Sequence, residues 1–149
     1  MWIYKYDAEY NRNAADVFTS GIGLHADDAQ INMNVWLTKS GGDDQESGTE
    51  SNGGLLLYPE LKSDRKDSFA TFNHRSSTES TMHRKVNNKE TQVVEVLHKS
   101  NRLVLFDSYM YHQSAAGMNS FGNKFDEGRV NLTLLFGRRK DSRNVANCQ

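Results

Sequence analysis

His25 and Asp27 stand two positions apart in the run Leu24-His-Ala-Asp-Asp28, and in an extended chain residues i and i+2 project to the same side. One imidazole and one carboxylate placed in this way grip a single ion, but a third ligand is needed to hold it. His112 is the candidate. It follows 102–107 (Arg-Leu-Val-Leu-Phe-Asp), the strongest strand-like stretch of the chain, after a short turn at 108–110. Two histidines and one carboxylate on one octahedral face leave three positions open, which suits non-haem Fe(II) oxygen chemistry. With five histidines and 19 acidic residues, a His-x-Asp pair also arises by chance, so specificity must come from order and context. His74, His83 and His98 read as structural. Asp28 stands beside Asp27, and only the same-side argument prefers Asp27.

The elements that must carry these residues are strands. Residues 2–6, 31–38, 55–58, 92–98, 102–107 and 129–137 are short, rich in β-branched and aromatic side chains, and separated by polar turn residues. The one helix candidate, 78–86, has capping residues but a thin apolar stripe. Residues 39–54 are almost wholly Gly, Ser, Asp, Glu, Gln, Asn and Thr and read as a mobile insertion, and 117–128 as a second loop carrying three large apolar side chains. Irregularly spaced strands in one domain suggest a sandwich or jelly roll rather than a βαβ fold.

Period-two alternation gives two strands distinct faces. In 31–38, Ile31, Met33, Val35 and Leu37 lie opposite Asn32, Asn34, Trp36 and Thr38. In 129–136, Val130, Leu132, Leu134 and Phe136 lie opposite Arg129, Asn131, Thr133 and Leu135. The polar faces are either the solvated side of a sheet or the lining of a cavity. The choice turns on whether the metal-binding residues point into the same space.

Length and composition set outer limits. A chain of 149 residues is one domain, and its net charge of −1 weighs against a nucleic-acid binder held by phosphate contacts. One cysteine, Cys148, excludes an internal disulfide. No apolar run approaches the roughly 20 residues of a membrane helix, and 1–10 is too polar for a signal peptide. The expectation is a soluble cytoplasmic domain with no membrane or nucleic-acid partner. Asn131-Leu132-Thr133 matches a glycosylation sequon, but its place in a core strand discounts it.

The ordered series is His-x-Asp, a strand, Gly-Gly-Leu-Leu-Leu-Tyr, a long middle, Asn-Arg-Leu-Val-Leu-Phe-Asp, His112, and Arg-Val-Asn-Leu-Thr. In this it resembles the Fe(II)/2-oxoglutarate-dependent oxygenase superfamily, broadly its prolyl hydroxylase-like and phytanoyl-CoA hydroxylase-like members. The resemblance spans about 21–139. It implies a mainly β, double-stranded β-helix (jelly-roll, cupin-like) fold with few or short helices. It also implies that His25, Asp27 and His112 ligate Fe(II), with 2-oxoglutarate as cosubstrate and O2 as oxidant, and that Arg129 takes the distal carboxylate. A guanidinium holds a carboxylate by two parallel hydrogen bonds and keeps its charge when desolvated. Where the family commonly has Ser or Thr two residues after that Arg, this chain has Asn131, with Thr133 next on the same face; either could donate to the carboxylate. Asn32, Asn34 and Trp36 would contact cosubstrate or substrate, and hydroxylation of the substrate is the implied outcome.

Two features depart from the plainest family pattern. Arg129 follows His112 by more positions than in compact members, which makes 117–128 an excursion; Arg102 and the Arg138-Arg139 pair are the rival anchors. Family members usually carry helices before the core, yet only about twenty residues precede His25. The outward apolar faces therefore call for a partner or a missing helical layer as cover. Tyr58, Tyr109 and Tyr111 sit at strand ends, as packing or as substrate contacts. The alternatives are a cupin-like metal-binding module without 2-oxoglutarate turnover and a cupin-type enzyme using the metal alone. The substrate, a small molecule or a protein side chain, is not named by the sequence.

Overall fold

The computed structural model describes residues 2–6, 22–38, 53–63, 85, 86, 88, 90–115 and 128–137. Seven strands run through them: β1 Trp2–Tyr6, β2 Ile31–Trp36, β3 Leu55–Lys62, β4 Val94–Val96, β5 Leu103–Asp107, β6 Met110–Ser114 and β7 Arg129–Phe136. They form two antiparallel sheets, one of order β1-β7-β2-β5 and one of order β4-β3-β6. The protein is thus mainly β. Of the expected helix at 78–86, only Lys85 and Val86 lie among the described residues, and both are helical. The loops expected at 39–54 and 117–128 likewise fall outside the described residues, apart from their ends. Among the described residues no helix is long and apolar enough to cross a membrane.

Alternation along β2 and β7 sorts side chains as period two requires. Asn32, Asn34 and Trp36 of β2 are buried, as are Arg129, Asn131 and Thr133 of β7. Register places Asn34 opposite Thr133, and Trp36 opposite Asn131. The polar faces are therefore interior. Trp36 and Phe106 of the larger sheet meet Leu55 and Leu57 of the smaller one in a shared core cluster, so the two sheets pack face to face.

The opposite face of the larger sheet is apolar. Its cross-strand rows read Phe136–Ile31, Leu134–Met33–Leu105 and Leu132–Val35–Leu103. Ile31, Leu37, Leu103, Leu105 and Phe136 are each about half exposed or more. The expected outward apolar face is present and, among the described residues, extends onto β5, while Val130, expected within it, is buried.

The strand expected at 92–98 is confined to 94–96, where it pairs with 55–57, and three other boundaries differ from expectation for identifiable physical reasons. β3 continues past Pro59 to Lys62 because its register against β6 shifts between Tyr58 and Lys62, and an irregularity in the ladder tolerates a residue with no N–H to donate. β2 stops at Trp36 because the Thr38 hydroxyl takes over the edge, donating to the Gly128 carbonyl at 2.7 Å and accepting from Val130 N–H at 2.9 Å. Residues 110–114, which carry His112, form a strand, so that Met110, expected in the turn, belongs to it. Only Ser108 and Tyr109 turn, with Tyr109 N–H donating to Asp107 Oδ1 at 3.0 Å. That two-residue connection carries the chain from one sheet to the other.

Candidate metal centre

Backbone hydrogen bonds bring the two distant parts of the centre together. His25 and His112 exchange both of theirs, His25 N–H to His112 C=O at 3.0 Å and His112 N–H to His25 C=O at 2.8 Å. Ser114 N–H donates to Ile22 C=O, Asp27 N–H to Ser108 C=O, and Ser108 N–H to Gln30 C=O. The segment from Ile22 to Gln30 is thereby stitched along β6 and the turn before it. His25 is extended there, as the same-side argument requires.

One ligand atom from each of His25, Asp27 and His112 lies within 4.8 Å of the other two, so the group could hold a metal ion. His25 Nε2 is 3.7 Å from Asp27 Oδ1, and His112 Nε2 is 3.4 Å from Asp27 Oδ2. The opposite ring nitrogens fix the tautomers. His25 Nδ1 donates to Gly23 C=O at 2.7 Å and His112 Nδ1 to Met110 C=O at 3.0 Å. A carbonyl only accepts, so each Nδ1 carries a proton, and the neutral form of either ring has its lone pair at Nε2. The two rings lie 4.2 Å apart by centroid, and Phe106 abuts His112 edge-on at 4.8 Å.

Electrostatics favours an ion here. Burial, and then the neighbouring His112, push the His25 pKa down from 6.5 to about 4; Asp27 and the Gly23 carbonyl oppose this without cancelling it. Near neutral pH His25 is uncharged. Its Nε2 lone pair then faces the Asp27 carboxylate, and a cation between them turns that repulsion into coordination.

The three residues share one cavity of about 440 Å³ with Asn32, Asn34, Arg129, Asn131 and Thr133. All eight residues singled out in the sequence thus line one space, with Trp36, Leu55 and Leu135 among its apolar walls. Arg129 is 3 % exposed, with its guanidinium carbon 6.0 Å from the centre of the Trp36 ring. Beside it, Thr133 Oγ1 donates to Asn34 Oδ1 at 2.6 Å, and Asn131 Nδ2 donates to Thr133 Oγ1 at 3.0 Å and to Asn34 Oδ1 at 3.3 Å. The Thr133 hydroxyl has one proton and has spent it on Asn34. Trp36 Nε1 and Asn131 Oδ1 are buried without a hydrogen-bond partner among the described residues. A polar cleft holding a buried guanidinium and the unmatched indole N–H of Trp36 fits an anionic, oxygen-rich ligand.

The competing assignments separate. Asp28 also lines the cavity but is exposed and is not one of the converging ligands. Arg102 points elsewhere, donating from Nη1 to Leu97 C=O at 2.6 Å. Arg138 and Arg139 lie outside the described residues, as do His74 and His83. His98 is buried against Trp36, 5.4 Å between ring centres, and does not line the cavity. Tyr58, Tyr109 and Tyr111 are buried in packing and do not line the cavity. Sequence reasoning missed the contact of Asn32 with Asp27, because Nδ2 of Asn32 donates to Asp27 Oδ2 rather than only facing the cavity. No family model matches the chain, and no curated protein matches it.

Proposed function

We propose that this chain is an Fe(II)/2-oxoglutarate-dependent dioxygenase that hydroxylates a small molecule or a protein side chain, built on a double-stranded β-helix. The observation that carries this reading is that two histidine Nε2 lone pairs and one carboxylate converge in a cavity whose other polar wall holds the buried Arg129. Two facing antiparallel sheets agree with the fold.

His25, Asp27 and His112 would hold Fe(II), and Arg129 would hold the distal carboxylate of 2-oxoglutarate. When bound, the pair supplies oxidative chemistry, in which O2 converts 2-oxoglutarate to succinate and CO2 and adds its second oxygen atom to a substrate C–H bond. The protein's share is positional. The Nδ1 hydrogen bonds to Gly23 and Met110 hold the ring tautomers and planes, which keeps the Nε2 atoms aimed inward. The planar guanidinium of Arg129, packed near Trp36, sets the direction from which a dicarboxylate enters. Trp36, Leu55 and Leu135 exclude water from the walls and strengthen each polar contact within.

The test is anaerobic loading with Fe(II), then 2-oxoglutarate and O2, with succinate measured. The expected result is succinate release even without substrate, increased when a candidate substrate is added. Normal iron binding with neither binding nor turnover of 2-oxoglutarate would establish a cupin-like metal-binding module instead.

A further inference from the structure

Asn32 is fully buried, at 0 % exposure, on the inward face of β2. Its cross-strand partners are Leu135 on β7 and Phe106 on β5. An apolar residue is the ordinary occupant between such neighbours, since a buried amide must recover in hydrogen bonds what it loses in hydration. Asn32 recovers only part of it. Its Nδ2 donates to Asp27 Oδ2, while its Oδ1 has no hydrogen-bond partner among the described residues. The amide therefore stands where its main return is the grip on one carboxylate oxygen.

Asp27 lies between β-structure on both sides, in a stretch outside any strand. Its backbone is tied by the bond from its N–H to Ser108 C=O, a bond that does not itself set the plane of the carboxylate. A carboxylate offers an ion one or both oxygens according to the plane in which it is held.

Resting on the metal-binding reading above, we infer that Asn32 is a positioning residue of the metal centre. By binding Asp27 Oδ2 it fixes the carboxylate plane and so limits how the two oxygens, each facing one of the histidine Nε2 atoms, can grip an ion. Asn32 acts through Asp27 and is not itself a ligand.

The test substitutes Asn32→Leu, which suits the Leu135 and Phe106 surroundings and lacks the donor. Wild type and variant are titrated without oxygen with Fe(II) and with Co(II), whose visible absorption reports coordination number. The expected result is a dissociation constant raised about ten- to a hundredfold, altered Co(II) bands, and a thermal midpoint no lower than that of the wild type. A merely structural role reverses the split, lowering the midpoint and leaving the Co(II) spectrum of the folded protein unchanged, and that outcome overturns the inference. Asn32→Ala, which adds no bulk, poses the same question if leucine prevents folding. A wild type that binds neither metal removes the proposed function and this inference together. Wild-type binding that the variant matches in affinity and spectrum removes this inference alone.

Discussion

Asp27 Oδ2 lies 3.4 Å from His112 Nε2, a convergence of two residues from opposite halves of the chain that depends on the paired backbone bonds between His25 and His112. His112 is 3 % exposed and packed by Phe106. Removing its imidazole takes away one of three ligands. His112→Ala is expected to lower Fe(II) affinity by at least about a hundredfold, beyond the range of a supporting-residue change. Anaerobic metal titration measures it, and an unaltered stoichiometry and affinity would refute the triad.

His25 makes the metal-free protein sensitive to acid. Its folded-state pKa of about 4 lies below the ordinary value of 6.5, so between these values the unfolded chain binds more protons and stability falls as pH falls. Above about pH 6.5 the ring is neutral in both states and costs nothing; below about pH 4 it is protonated in both and the loss is complete. The full loss is at most about 3 kcal/mol. Urea unfolding from pH 7 to 4 measures it by comparison with His25→Gln, which retains amide hydrogen bonding but does not titrate. Parallel pH dependences for the two proteins would mean that the ring is not buried as a neutral group.

The alternation of Asn32, Asn34 and Trp36 against Ile31, Met33 and Val35 was legible, because period two is a property of any strand. Which face was interior was not. Polar residues outward is the commoner arrangement, and only the shared cavity with His25 and His112 reversed it. β6 escaped because Met110-Tyr-His-Gln-Ser114 has no apolar alternation, its strand character coming from pairing with β3. The run past Pro59 escaped because proline ordinarily ends a ladder. The bonds that tie Ile22, His25 and Asp27 to β6 and its turn join backbone atoms and leave no mark on residue type. The grip of Asn32 on Asp27 was illegible for the same reason, since it depends on where those bonds hold the loop.

Arg129→Met keeps the length of the side chain near Trp36 and removes the charge. A hydrogen bond to a charged group contributes about 1.5–3 kcal/mol, so 2-oxoglutarate affinity is expected to fall roughly ten- to 150-fold, with Fe(II) affinity unchanged. Calorimetric titration of the metal-loaded protein measures both. Equal 2-oxoglutarate affinity in the two proteins would move the carboxylate anchor to another cation.

Gly54 opens β3 where the chain passes against 96–98. A Cβ there would lie 2.0 Å from the Val96 carbonyl oxygen and 2.9 Å from His98 N, both backbone atoms that cannot swing aside. Gly54 C=O also accepts from Ala115 N–H at 3.0 Å, tying the same point to the end of β6. Gly54→Ala must push β3 from its neighbour, and overpacking of this kind costs about 3 kcal/mol. Urea unfolding is the measurement; a change under about 0.5 kcal/mol, the range of an ordinary surface substitution, would show that the close approach does not exist in solution.

Leu105 is 60 % exposed at the middle of the apolar rows, in line with Met33 and Leu134. An exposed leucine contributes little to stability, so Leu105→Lys is expected to change it by less than about 0.5 kcal/mol while reducing the binding of an apolar dye to the native protein. Covering of this face in solution would produce the opposite pair of results. A leucine that is buried loses packing and desolvates a charge when replaced by lysine, at a cost of roughly 2–5 kcal/mol, and the native protein would bind no dye before the substitution. A bare face therefore loses dye binding at an unchanged midpoint, whereas a covered face loses stability and has no dye binding to lose. A concentration dependence of the midpoint in the covered case would identify self-association as the source of the cover.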